Sequence, residues 1–159
     1  MLVRDGRSMV VASLDHHQLA ELYAVRAELE GLAARLAARH ATDEEVRVLR
    51  AMVEEDRRLA NDPNALARAN RRFHHQIHLA SHNRYLIQQL DLVHRSMALL
   101  ASTSLAAEGR ADATLQEHQA IIAAITQRDG DTAAEAVKTH ISRAYEMRLK
   151  LCLLYTSDA

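Results

Sequence analysis

Apolar residues recur three and four positions apart along almost the whole of this 159-residue chain, with few interruptions. That period places one apolar stripe on each of several helices. Four glycines and one proline are too few for the tight turns of an all-β fold, and the abundant Ala, Leu, Arg and Glu favour helix. The first helix is expected from about Asp15 to Arg39, with Leu19, Leu22, Val25, Leu29, Leu32 and Leu36 facing inward. Thr42 and Glu45 form a capping box that opens a second helix, reaching about Ala60. Asp62 and Pro63 start a third, to about Ser81. A fourth follows Asn83 and runs to about Ala107. A fifth spans about Asp112 to Arg128, and Asp131 or Thr132 caps a sixth that passes Lys150. Every connection is short, so the expected fold is all-α, an antiparallel bundle of six to seven helices.

The ends depart from this pattern. Residues 1–13 hold a short β-prone piece, Val10-Val11-Ala12, behind Asp5-Gly6-Arg7, and read as the tail of a preceding element with its linker. Residues 14–150 form the helical domain. Residues 151–159 break the amphipathic pattern. The string CLLYTSDA resembles read-through of sequencing-adapter DNA, so this tail, with Cys152, is expected to be non-native. The alternative is a frayed natural end. A single cysteine excludes an intramolecular disulfide and suits the cytoplasm. No apolar run reaches the roughly 18–20 residues of a membrane span. The formal net charge is −1 and aromatics make up 3% of the chain, which leaves neither a basic field nor stacking platforms for nucleic acid.

Four polar residues fall in phase with the apolar stripes: Asn70, His74, His118 and His140. Asn70 and His74, four apart, share a face of the third helix. His118 lies between Leu115 and Ile122, and His140 between Val137 and Ala144. A buried polar group without a partner costs about 1–3 kcal/mol. Imidazole is the commonest ligand of divalent transition metals, so three of them on three helices can share one ion. The competing reading is a set of core histidines bonded to nearby carbonyls. His74 and His78, also four apart, form a rival pair that ranks second because His78 lies at the edge of the stripe. Arg26 sits near the inward edge of the first helix, where it can hold a carboxylate bidentately or pair with Glu30 one turn on. The runs Arg57-Arg58 and Arg71-Arg72 read as solvated faces, and Asn83 as the N-cap of the fourth helix.

Taken in order, Tyr23-Ala-Val-Arg26 with Glu30, Ala41-Thr-Asp-Glu-Glu45, Asn70-Arg-Arg-Phe73-His74 with Asn83, Glu117-His118 and His140 resemble the effector-binding C-terminal (FCD) domain of GntR-type bacterial transcription regulators of the FadR subgroup. The likeness covers about Leu14 to Lys150. The opening VRDGRSMVVAS resembles the end of the winged helix-turn-helix and linker that precede this domain. The resemblance implies a homodimer that binds a small organic acid, often through a metal, and reaches DNA only through an N-terminal winged-helix domain. It implies His74, His118 and His140 as metal ligands, with Asn70 where metal-binding members carry Asp, and Arg26 and Asn83 as ligand-binding residues. Three imidazoles suit zinc first, with nickel or manganese as alternatives. Asn70 brings an oxygen but no charge.

Two other functions compete. Three histidines with an open position also describe a catalytic zinc centre. No HExxH motif occurs, however, and Glu117 points about 100° away from His118 around the helix. The chain is therefore not expected to be an enzyme. A purely structural dimerisation bundle is the third reading.

Overall fold

Helix starts here are written in short polar side chains. In the computed structural model, which describes the backbone of residues 2–5, 8–11, 14–100 and 104–157 and the side chains of 14–100 and 105–151, six α-helices follow a β-hairpin. The hairpin pairs β1 (Leu2–Asp5) with β2 (Ser8–Val11), Leu2 opposite Val11. The helices are α1 (His16–His40), α2 (Asp43–Asp56), α3 (Pro63–Ala80), α4 (Arg84–Met97), α5 (Arg110–Thr126) and α6 (Gly130–Ser157). Asp15 and Thr42 cap α1 and α2 through reciprocal boxes with Gln18 and Glu45. Asp62 accepts the Ala65 N–H, with Pro63 in the first turn of α3. Asn83 accepts the Leu86 N–H to start α4.

Three expectations need correction. The sixth helix begins two residues early: Asp129 takes the Thr132 N–H at 3.1 Å and its hydroxyl at 2.6 Å, so Asp129 is the cap rather than Asp131 or Thr132. The fourth helix ends at Met97 instead of Ala107. Its last N–H groups turn to tighter i−3 partners, Leu99 to Ser96 and Leu100 to Met97. Residues 101–103 lie outside the described residues. The third correction concerns α1. Val25 is 52% exposed and Leu32 39%, whereas Leu19, Tyr23, Arg26, Glu30, Ala33, Ala34, Ala37 and Ala38 are buried. The stripe therefore holds at Leu19, and at Leu29 and Leu36, which pack against the core, but Val25 and Leu32 fall outside the inner face. Residues 12–13 and the Cys152 side chain also lie outside the described residues.

The small face of α1 has a packing reason. This helix touches α3, α4, α5 and α6, and its longest contact is with α6. A Cβ on Gly31 would stand 2.8 Å from Lys138 Cε on α6. Ala34 and Ala38, three and seven residues on, continue that face at 0% exposure. Around α1, Leu49, Phe73, Ile77, Leu90, Ile121, Ile125 and Ile141 complete one apolar core. α2 closes the end formed by α3 and α5.

Asp56 ends α2 at 3% exposure, and its Oδ2 has no hydrogen-bond partner. Burial raises its pKa to about 6, against a pull downward from Arg72. Its folded value thus exceeds the ordinary one, so its contribution to stability is full below pH about 3.8 and is lost as pH rises through about 6. Asp56→Asn should raise stability at pH 7.5 by about 1–2 kcal/mol and change little at pH 4, as read by urea unfolding at both values. Ala34→Leu should overfill the α1–α6 contact and lose about 1–3 kcal/mol in the same assay.

Candidate functional site

One turn of α3 sets the site. Phe73 and Ile77 bury themselves in the core, and the helical period carries His74 and His78 inside with them, at 0% and 1% exposure. His118 reaches the same point from α5 and His140 from α6, both buried. Phe73 stacks on the His118 ring with centroids 4.2 Å apart, which fixes that imidazole's plane. His74 Nε2 stands 3.1 Å from His140 Nε2. One nitrogen from each of the three rings lies within 4.8 Å of the other two. The structure thus brings together the three histidines singled out by phase. Asn70, one turn before His74, lines a cavity together with His74 and His140, and its buried Oδ1 has no partner.

The electrostatics keep these rings neutral. Burial lowers His74 to about pH 3, although Glu30 pulls the other way. Burial also holds His118 well below the usual imidazole range, and it lowers His140 against the opposing pull of Glu117. Neutral imidazoles present lone pairs, the form a metal needs. His140 Nδ1–H donates to Glu117 Oε1 at 2.7 Å, which turns the His140 Nε2 lone pair toward His74 Nε2 as an acceptor. His118 has no partner at either ring nitrogen, and His74 has none at Nδ1.

Two buried carboxylates flank the triad. Glu117 is also held by Arg110, with both guanidinium nitrogens at 2.9 Å, and by Arg143 at 3.2 Å. Burial would raise its pKa, but His140 and Arg110 outweigh that and hold it near 2. Glu30, 1% exposed, accepts from His78 Nε2 at 2.7 Å and His94 Nε2 at 2.9 Å. Arg26 Nε lies 3.7 Å from Glu30 Oε1, and His74 Nδ1 lies 3.6 Å from Oε2. Here too the facing histidines overcome burial and keep the carboxyl well below its usual range.

Arg26 therefore faces inward, 6% exposed, and also makes the pairing with Glu30 that its spacing allowed. Its Nε has no hydrogen-bond partner, and the residue lines a cavity of about 550 Å³. That cavity is also walled by Asn70, His74, His94, Arg110 and His140. Asn83 is not brought there: its side-chain oxygen is used by the Leu86 N–H, and it is absent from the cavity wall. Sequence reasoning missed Glu30, Glu117, His94 and Arg110 as members of the site. Glu117 does point away from His118, but the same turn aims it at His140 on α6. Arg110 had the look of a loop residue, yet it opens α5.

Comparison with known proteins fits this geometry. Residues 21–143 match the FCD domain family. Over 145 residues the chain is 26% identical to the uncharacterized HTH-type transcriptional regulator YdhC of Bacillus subtilis (strain 168), covering 89% of this chain and 65% of that protein. Over 130 residues it is 32% identical to the galactonate operon transcriptional repressor of Escherichia coli (strain K12), covering 80% of this chain and 56% of that protein. The chain thus spans a little under two thirds of the length of these relatives. Among solved structures, E. coli McbR/YncC superposes with a TM-score of 0.82 at 19% identity, over 94% of this chain and 77% of that one. Streptococcus agalactiae GntR gives 0.67 at 23% identity, over 91% and 74%. These two likenesses speak for the fold. With the family match spanning most of its length, the chain belongs to the FCD domain family.

Proposed function

We propose that this chain is the ligand-sensing domain of a GntR/FadR-type transcriptional regulator. In this reading it binds a small organic acid in the cavity through a divalent metal held by His74, His118 and His140. The observation that carries the reading is the unsatisfied state of the triad. His118 has two partnerless nitrogens and His74 has one at Nδ1, while the His140 Nε2 lone pair is met only by the His74 ring. Such a set is costly as a core and natural as a ligand group. Three neutral imidazoles suit zinc or nickel, with the Asn70 oxygen as a weaker neutral donor and manganese less favoured. When bound, the ion supplies the positive charge that takes the oxygens of an acid.

The protein's own residues do the rest. Arg26, with its unpartnered Nε in the cavity wall, offers a charge-assisted hydrogen bond to a carboxylate. Glu117 fixes the tautomer of His140. A relative named for a galactonate operon favours a polyhydroxylated acid. Neither Glu30 nor Glu117 is free to act as a general base, since each already accepts from two or more donors. That speaks against a hydrolytic enzyme, as does the regulatory naming of the relatives. The β1–β2 hairpin supports reading residues 1–13 as the end of a winged helix, through which DNA would be reached. We take the working form to be a cytoplasmic homodimer. No helix among the described residues is long and apolar enough to cross a membrane. For regulation, the acid must bind two helix arrangements with different affinity.

Plasma mass spectrometry of protein purified without a tag should find bound divalent metal. His118→Ala and His140→Ala should each lose about one equivalent per chain; metal content untouched by both would overturn the metal-centred reading. Millimolar small acids, aldonates among them, should raise the melting temperature. Arg26→Ala should weaken that binding about tenfold or more, the value of a hydrogen bond to a charged group, with metal content unchanged. If no acid shifts the melting temperature at all, the sensor reading fails.

A further inference from the structure

Beside the triad lies a second constellation with a different chemistry. Glu30 on α1, His78 on α3 and His94 on α4 each direct one ligand atom to a common point, and those atoms lie within 4.8 Å of one another. The two rings approach opposite oxygens of one carboxylate, His78 at Oε2 and His94 at Oε1. They stand edge to face, with centroids 5.2 Å apart. Two imidazoles and a carboxylate make a common donor set for a divalent transition ion. Unlike the triad, this set brings its own negative charge. Glu30 and His78 are buried, whereas His94 is 24% exposed along its side chain and lines the 550 Å³ cavity, so solvent and small ions reach it.

We propose that Glu30, His78 and His94 form a second divalent metal site, separate from the histidine triad but opening into the same cavity. An ion there takes the Nε2 lone pairs of both rings once each ring's proton has moved to Nδ1, and the donor atoms part to sit about 2.0–2.2 Å from it. The two sites share no ligand. His74 lies between them: its Nε2 faces His140, and its Nδ1 stands 3.6 Å from Glu30. One imidazole therefore separates two cation positions. A ligand with oxygen donors at both ends could span them.

The test is metal stoichiometry on the full chain, stripped with chelator, reloaded with Zn²⁺ or Co²⁺ and freed of excess. The expected result is two equivalents in the unaltered protein, one in His118→Ala and one in His94→Gln. None should remain in the double variant. Gln at 94 can still donate an N–H to Glu30, and circular dichroism checks that the fold survives. In the His118→Ala background, where only the proposed site is left, His94→Gln and His78→Gln should each weaken the remaining Co²⁺ binding at least about tenfold. A single equivalent that disappears with His118→Ala overturns the second site and leaves the triad standing. A single equivalent that survives His118→Ala but disappears with His94→Gln supports the second site and overturns the triad as a metal site. Two equivalents unaffected by His94→Gln and His78→Gln overturn the proposal.

Discussion

A carboxylate sealed in the middle of a helical bundle must gather donors from its neighbours, and Glu30 does so from two other helices. His74 and His78 come from α3 and His94 from α4, while Arg26 stands one turn back on α1. A buried charge stripped of such partners costs several kcal/mol. The angular placement of α3 and α4 around α1 is therefore tied to one side chain. Glu117 plays the matching part on the other side, joining Arg110 at the start of α5 to His140 and Arg143 on α6. The histidine triad sits between these two anionic anchors. Its geometry is inherited from them as much as from the apolar core.

The two carboxylates also differ in what they leave undone. Glu117 fixes one tautomer and is saturated by arginines, so it acts as a support. Glu30 is approached chiefly by imidazoles, which can turn a lone pair to an ion by moving their proton to the other ring nitrogen. The cavity is lined by arginines and histidines from several helices, Arg26, Arg110, His94 and His140 among them, together with Asn70 and His74 of α3. A neutral Asn at position 70 leaves the triad without an anionic ligand of its own. The nearest negative charges are therefore one shell out, beyond the imidazoles.

Much of the fold could be read directly from the chain, because caps are local. Thr42, Asp62 and Asn83 start helices where their side chains can reach an N–H three residues on, and no distant residue is needed to recognise that. The triad was legible for a similar reason: a polar residue in phase with a strong apolar stripe stands out. The inner face of α1 was not. Alanine carries little hydrophobic signal, so the Gly31–Ala38 surface was outweighed by larger apolar residues, of which Val25 and Leu32 face outward. Arg110 escaped because it read as lying ahead of the fifth helix, although Glu117 is only seven residues on, and Glu30 and His94 escaped because their meaning lies in partners 48 to 64 residues away. Spacing within one element cannot report such pairings.

The placement of Arg26 and Glu30 within α1 has a mechanical meaning. They lie ten and fourteen residues after the helix's first residue, about 15 and 21 Å along its axis. The small-residue seam against α6 begins at Gly31, just beyond them. α1 is thus clamped along its later half by the seam, gripped by the site near its middle, and seated in the core by Leu19 and Tyr23 in its earlier turns. A rod held along its whole length moves as one body. Any tilt that cavity occupancy imposes at Arg26 is therefore carried to both of its ends.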